Sequence, residues 1–249
     1  MKLKLISCEV FFRELCHVVA RSPHQIDIEF IPKGLHDMGR VPMRERLQEV
    51  LDRVDGSSYD AILLGYGLCN FGVAGLRTPS LPLVIPRAHD CMTLFFGSQQ
   101  RYLENFQNNP GTYYLTTGWM ERGEPTGEMK QLSIQHQSGM DYTFEELVER
   151  YGEDNARFLM EQLGDQTRHY SRIAFIEMGI EPNDSFRAGA EQRAKDRHLV
   201  FERLQGDMRL FQDLVNGNWQ EEDFLTVPPG HRIGVSEDGQ RIFAQADDA

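Results

Sequence analysis

Three of the four cysteines in this 249-residue chain follow segments that we predict to be buried strands. Cys8 comes directly after one such segment, Cys69 follows a glycine-rich turn behind a second, and Cys91 stands shortly after a third. Ligands of open α/β sheets bind beyond the carboxyl ends of the strands, so we expect the three thiols to meet at one sheet edge. Soft and borderline metal ions prefer thiolate ligands. The sequence therefore predicts a metal site at this edge.

Two histidines complete a ligand set of the kind that zinc uses. His36 follows the second predicted strand, and His89 stands two residues before Cys91. Zinc takes sulfur and imidazole ligands, four in structural sites and three with an open position in catalytic sites. Ligands scattered over separate loops favour a catalytic site, with iron as the second choice of metal. The predicted ligands are Cys8, Cys69, Cys91 and either His89 or His36.

Four further polar groups have predicted roles around this metal. Glu9 or Asp90 would accept a proton, and Asp90 or Asp37 would orient an imidazole ring. Arg87 would bind an anionic substrate, because a guanidinium group suits a carboxylate or a phosphate.

The glycine-rich turn has two interpretations. Gly65 and Gly67 could let a phosphate-bearing cofactor approach the backbone. The turn lacks the Lys-Ser/Thr pair of a P-loop and the complete dinucleotide fingerprint, so tight turns and close packing are the favoured reason for these glycines.

Other interpretations of the cysteines stay open at this point. Free cysteine is among the most buried residue types, so all three could simply fill the core. Two of the thiols could form a disulfide in a redox protein, and an iron–sulfur cluster would need Cys16 as a fourth ligand. A non-catalytic accessory protein that binds a metal or a corrinoid protein is a further alternative.

The elements that must position these residues alternate between strand and helix. Apolar runs and alternation predict strands over Leu3–Ser7, Ile26–Ile31, Asp60–Tyr66 and Leu83–Ile85. Helical spacing predicts helices over Glu9–Ala20, Pro42–Val54 and Cys91–Phe106. Such alternation predicts an α/β fold with a mostly parallel sheet and helices on both faces, Rossmann-like or flavodoxin-like.

The second half of the chain is predicted to be a companion α/β lobe or an extension. We place the boundary between residues 1–110, which carry the cysteines, and residues 111–249. Predicted elements of the second half are strands over Thr112–Thr117, Ile173–Met178 and Phe224–Val227, helices from Thr143 to about Gly164 and over Asp184–Val215, the latter either continuous or broken near Gly206, and a terminal hairpin turning at Asp238-Gly239.

Composition excludes several classes of protein. A net charge of −12 argues against nonspecific binding to nucleic acid or to an anionic membrane. No apolar run is long enough for a transmembrane helix. Glu9, Arg13 and Glu14 interrupt the first apolar stretch too early for a signal peptide. Four cysteines are too few for a disulfide scaffold, and we expect a cytoplasmic protein.

The residues at the predicted edge also resemble those of the bacterial and archaeal family called DUF1638. The resemblance covers roughly the first half of the chain and implies a soluble protein whose relatives often occur beside corrinoid-dependent methyltransferase components. It rests on Cys8-Glu9, Phe12-Arg13-Glu14-Leu15-Cys16, Gly34-Leu35-His36, Gly65-Tyr66-Gly67-Leu68-Cys69, Pro86-Arg87-Ala88-His89-Asp90-Cys91, Gly111-Thr112-Tyr113 and Gly118-Trp119.

A second similarity concerns the chemistry of the site. His89 and Cys91, with a distant cysteine, resemble the zinc site of thiol methyltransferases allied to uroporphyrinogen decarboxylase, although this chain is shorter and lacks their eight-fold βα pattern. The expected function is therefore that of a metal-dependent enzyme of one-carbon or thiol metabolism, such as methyl transfer, with zinc preferred to iron as the metal. Its expected partners are an anionic or thiol small molecule and a corrinoid protein.

Overall fold

The computed structural model describes residues 1–69, 71–78, 80–122, 144–163, 170–239 and 241–247. Strands in this part of the chain group into three sheets of five, three and two strands. The strands are β1 (Lys2–Cys8), β2 (Gln25–Ile31), β3 (Ala61–Gly65), β4 (Leu83–Pro86), β5 (Thr112–Leu115), β6 (Arg172–Glu177), β7 (Val200–Gln205), β8 (Phe224–Val227), β9 (His231–Val235) and β10 (Ile242–Ala246).

Helices follow most of the parallel strands. Short 3₁₀ helices at Glu9–Phe11 and Lys33–Met38 come directly after β1 and close behind β2. The α-helices are α1 (Phe12–Val19), α2 (Arg40–Asp52), α3 (Cys91–Phe96), α4 (Gln99–Asn108), α5 (Thr117–Glu121), α6 (Phe144–Tyr151), α7 (Glu153–Leu163), α8 (Ser185–Asp196) and α9 (Arg209–Asn216).

The large sheet has the order β2-β1-β3-β4-β8. Its first four strands are parallel, and β8 runs antiparallel to β4. Successive side chains of a strand point to opposite faces, and the sequence supplies apolar residues for both: Leu5 packs on the α1 and α9 side, whereas Ile6 packs on the α2 side. The predicted α/β fold with a mostly parallel sheet and helices is therefore confirmed.

The second half of the chain contributes to two sheets. Strands β5, β6 and β7 form a separate parallel sheet in that order, whereas β8 completes the large sheet beside β4. The predicted division at residue 110 falls just before β5, and it stays a prediction.

The long helix predicted over Asp184–Val215 is wrong. This segment contains α8, then β7, then α9. Strand β7 lies at a sheet edge with much of its surface exposed, and its sequence lacks the apolar pattern of a buried strand. Pairing with β6 along its whole length, including the ion pair between Arg203 and Glu177 at 2.7 Å, holds it extended.

The helix predicted over Cys91–Phe106 is divided into α3 and α4. Gly97 takes a left-handed conformation at the end of α3, and the Ser98 hydroxyl accepts a hydrogen bond from the backbone N–H of Arg101 at the start of α4. These are the usual signals for the end of one helix and the beginning of the next.

The helical prediction from Thr143 to Gly164 is confirmed by α6 and α7, and its two end residues lie outside the described residues.

In the described part of the chain, no helix is both long enough and apolar enough to cross a bilayer.

Candidate functional site

Cys8, Cys69 and Cys91 lie together at the carboxyl edge of the large sheet. Cys8 is the last residue of β1, Cys69 lies in the loop after β3, and Cys91 begins α3. All three are free thiols, with Cys69 buried and the other two half-buried. Cys8 raises the pKa of Cys69, and both raise the pKa of Cys91. The three sulfurs are therefore within electrostatic reach of one another.

Cys16 lies apart from this cluster, on α1. Burial raises the pKa of its thiol, and the charges that act on it are those of Arg122 and Glu14 rather than the other cysteines.

Hydrogen bonds join the loop that carries Cys69 to the loop that carries Cys91. The backbone N–H of Leu68 donates to the carbonyl of Ala88 at 2.8 Å, and that of Cys69 donates to the carbonyl of His89 at 3.2 Å. Cys69 has a positive φ of 37°, which is uncommon for a residue other than glycine. Such conformations persist where the surroundings enforce them, and they cluster at functional sites.

Close packing accounts for the two glycines of the turn. A Cβ on Gly67 would lie 2.8 Å from the carbonyl carbon of Asp90, and a Cβ on Gly65 would lie 2.3 Å from Oγ of Ser7. Each glycine thus lets a neighbouring segment approach closely, as the packing interpretation expects. A cofactor-binding role for these glycines stays a prediction.

Burial keeps the thiols protonated. Loss of solvation raises the pKa of Cys8 from 9.0 to about 12 and that of Cys69 to about 12, and it raises the pKa of Cys91 well above its ordinary value. Hydrogen bonds from backbone N–H groups oppose this rise: the N–H of Val10 acts on Cys8, and those of Gly67 and Cys91 act on Cys69.

Two aromatic side chains direct polar groups at the sulfurs. The Trp119 indole N–H has no partner at normal hydrogen-bond geometry among the described residues, yet it faces Cys91 closely enough to lower the pKa of that thiol. The buried Tyr66 hydroxyl also lacks a partner in the described chain. Burial, followed by the nearby Cys8 and Cys69, raises the pKa of this hydroxyl well above its ordinary value.

Buried polar atoms without a partner in the described chain are concentrated around α5. They include Oγ1 of Thr117, Nε1 of Trp119 and Nε of Arg122. Helix α5 packs tightly on the segment after β1, since a Cβ on Gly118 would lie 1.8 Å from the carbonyl oxygen of Val10. Buried polar groups are normally hydrogen-bonded, so such a concentration points to a bound ligand or to water.

Lys33 is a second feature of the site that the sequence did not single out. Its side chain is buried, and its ammonium lies 5.1 Å from the centroid of the Trp119 ring. The positive charge also lowers the pKa of Cys8. The sequence could have identified Lys33, because it follows the carboxyl end of β2 and Pro32, and the cysteines were selected by the same position behind a strand.

Each of the two predicted histidine ligands lies beside an acidic neighbour. His36 Nδ1 is 3.2 Å from Oδ1 of Asp37, and its ring meets Trp119 edge-on at 6.2 Å between centroids. His89 Nδ1 is 3.5 Å from Oδ2 of Asp90, and half of its side chain is exposed. Each carboxylate is thus placed to orient its neighbouring ring.

Asp90 and Glu9 also hold structural hydrogen bonds. Oδ1 of Asp90 accepts from the backbone N–H of Met92 at 2.9 Å and caps α3, while its Oδ2 accepts from the Tyr102 hydroxyl at 2.8 Å. Oε1 of Glu9 accepts from the backbone N–H of Lys33 at 2.8 Å. Both carboxylates therefore position the loops of the cluster, and their proton-accepting roles stay predictions.

Arg87 is committed to backbone carbonyls. Its Nε donates to the carbonyl of Glu221 at 2.7 Å and lies 3.2 Å from that of Phe224, and its Nη1 donates to that of Ile242 at 2.5 Å. These bonds fasten the end of β4 to the segment before β8 and to β10. The geometry therefore favours Lys33 over Arg87 as the cation beside the thiols.

In the part of the chain that the structure describes, no group of three or more His, Cys, Asp or Glu side chains is already spaced as the ligands of a metal ion are. The arrangement is that of neutral thiols, which must lose protons before they can coordinate a metal.

Comparison with known proteins gives one match. No curated protein matches the chain, and no solved structure matches it. A family model described as "Protein of unknown function (DUF1638)" matches residues 30–215, which include Cys69 and Cys91 but not Cys8. This match covers well over half of the chain and extends into its second half, so the protein belongs to the DUF1638 family.

Proposed function

We propose that Cys8, Cys69 and Cys91 bind one zinc ion as thiolates and leave a fourth position for a further ligand, with iron as the alternative metal. The observation that carries this proposal is that Cys8, Cys69 and Cys91 gather at the carboxyl edge of the large sheet, where an N–H group opposes the rise that burial causes in the pKa of each thiol. Val10 supplies this N–H group to Cys8, backbone groups supply it to Cys69, and Trp119 supplies it to Cys91. N–H donors stabilise thiolates, and outer hydrogen bonds of this kind surround metal ligands.

The charges at the site support the same proposal. Three thiolates in a buried place are strongly unfavourable alone, which is why burial keeps Cys8 and Cys69 protonated. A divalent ion together with the ammonium of Lys33 would offset the charge of three thiolates. A coordinating thiol is deprotonated outright by the metal.

The proposed activity is that of a metal-dependent enzyme of one-carbon or thiol metabolism, such as a methyltransferase. The metal would supply the positive charge that keeps a bound thiol deprotonated and nucleophilic. Support comes from the similarity of the His89 and Cys91 pair to the zinc site of thiol methyltransferases.

The alternatives receive less support from the geometry. Redox-active cysteines normally have a lowered pKa, whereas burial raises that of Cys8 and Cys69. An iron–sulfur cluster would need Cys16, and the charges acting on that thiol are not those of the other cysteines. A non-catalytic accessory protein that binds a metal would use the same metal site and differ only in the absence of turnover, whereas one that binds a corrinoid protein needs no metal at the thiols.

Elemental analysis of the full chain tests the metal site. Protein produced with added zinc and purified without chelators should carry about one zinc per chain, and Cys69→Ser should bind zinc more weakly and carry clearly less of it. Cys16→Ser is the matched control, because it removes a thiol outside the cluster and should keep the metal. A wild type with far less than one metal per chain, or a Cys69→Ser variant with the wild-type content, would contradict the proposal.

The fourth ligand is tested in the same way. Zinc affinity should fall in whichever of His36→Ala and His89→Ala removes a ligand, and it should stay unchanged in the other. If both variants bind zinc as the wild type does, neither histidine is a ligand and the fourth position belongs to the substrate.

A further inference from the structure

The side chain of Lys33 is largely buried and makes no ion pair within the described chain. Only 6% of its surface is exposed, and among the described residues its ammonium makes no ion pair with a carboxylate. Lysine is almost never fully buried unless it is paired, since its charge loses solvation. The ammonium lies 5.1 Å from the centroid of the Trp119 ring, and its charge lowers the pKa of the Cys8 thiol.

The chain holds Lys33 firmly in this place. Its backbone N–H donates to Oε1 of Glu9 at 2.8 Å, which ties the residue to the turn that follows Cys8. The ring beneath the ammonium is also fixed, because the Thr116 hydroxyl accepts from the backbone N–H of Trp119 at 3.3 Å. A cation held by both its backbone and its aromatic neighbour is already oriented for binding.

We propose that Lys33, together with the indole of Trp119, binds the carboxylate of a small organic acid that enters beside the three thiols. This inference deepens the proposed function by naming the substrate class. It rests on that function only for the reaction of the ligand's other end at the thiols. One ammonium, held over the Trp119 ring, matches a singly charged group.

A fluorescence titration tests this inference with propionate as the probe and neutral propionamide as its control. The chain has two tryptophans, and Trp219→Phe leaves Trp119 as the reporter. Propionate should change the emission in a saturable way, and propionamide should not. If Trp219→Phe does not fold, calorimetry on the wild type follows the same binding.

Substitutions identify the cation. Lys33→Met should weaken propionate binding by about tenfold or more, because hydrogen bonds to charged groups are among the strong ones. Lys33→Arg should restore part of it. Lys195→Met is the matched control, since Lys195 is exposed and pairs with Glu191 at 2.8 Å far along the chain.

The outcomes separate this inference from the metal proposal. Propionate that binds Cys69→Ser as well as the zinc-loaded wild type supports the carboxylate site even if no metal is found. Zinc that binds without any saturable propionate binding overturns the carboxylate site alone. Equal binding of propionate by Lys33→Met and the wild type, or equal binding of propionamide, also overturns it.

Discussion

Alkylation of the metal-free protein with iodoacetamide should be slow at Cys8 and Cys69. Burial raises the pKa of both thiols from 9.0 to about 12, so below pH 9 the reactive thiolate is about a thousandfold scarcer than in an ordinary cysteine. A thiolate of higher pKa is intrinsically more nucleophilic, with a Brønsted coefficient of about 0.4–0.5. The two effects together leave a rate roughly 30- to 60-fold below that of the unfolded chain.

The pH profile separates ionisation from restricted access. Rates are measured peptide by peptide by mass spectrometry between about pH 8 and 10, with the chain in denaturant as the reference. The rate at Cys69 should keep rising about tenfold per pH unit across this range, whereas a merely inaccessible thiol of ordinary pKa would level off near 9. A plateau near 9, or a rate within a few-fold of the unfolded chain, would refute the reasoning.

Three further outcomes are expected. Gly67→Ala should lower the free energy of unfolding in urea by about 1–3 kcal/mol, because its Cβ would lie 2.8 Å from the Asp90 backbone. The control Gly189→Ala should lower it little, because its Cβ would meet only the flexible end of a methionine side chain at 3.1 Å. Equal losses in the two variants would contradict the close approach at Gly67. Burial raises the pKa of Glu14 from 4.5 to about 7, so its contribution to stability is full below 4.5 and falls by up to about 3 kcal/mol as the pH rises to 7. Glu14→Gln should therefore be more stable than the wild type at pH 8 and not at pH 4.5, as denaturant unfolding at the two pH values can show; no difference at pH 8 would contradict this. Zinc affinity, measured by chelator competition, should rise about a thousandfold per pH unit near neutrality because three protons leave, and about a hundredfold in Cys69→Ser; a tenfold rise or less in the wild type would contradict three thiol ligands.

The gathering of Cys8, Cys69 and Cys91 at one edge follows from the sequence because parallel strands share a direction. Each cysteine needs only to stand behind a recognisable apolar run for its place to be fixed. The same rule would have identified Lys33, which follows β2 in the same way.

Contacts between distant parts of the chain could not be predicted from the sequence. Arg87 is predicted from the sequence to bind an anion. The carbonyls to which it donates hydrogen bonds in the structure, those of Glu221 and Ile242, come more than a hundred residues later in the chain. Trp119 belongs to α5, behind a strand of the other parallel sheet, and reaches the thiols only because Gly118 lets α5 approach Val10.

Strand β7 shows the limit of periodicity. Its apolar residues Val200, Phe201 and Leu204 do not alternate with polar ones as in a half-buried strand, and their spacing fits a helix face. Only pairing with β6 decides its conformation, and that pairing is a tertiary effect.

X-ray absorption at the zinc edge of the full-length protein tests the central claim most directly. Three cysteine ligands should appear as about three sulfur neighbours at about 2.3 Å, and Cys69→Ser should lose one sulfur or the metal itself. A first shell of only nitrogen and oxygen at about 2.0–2.2 Å would contradict a zinc site built from Cys8, Cys69 and Cys91.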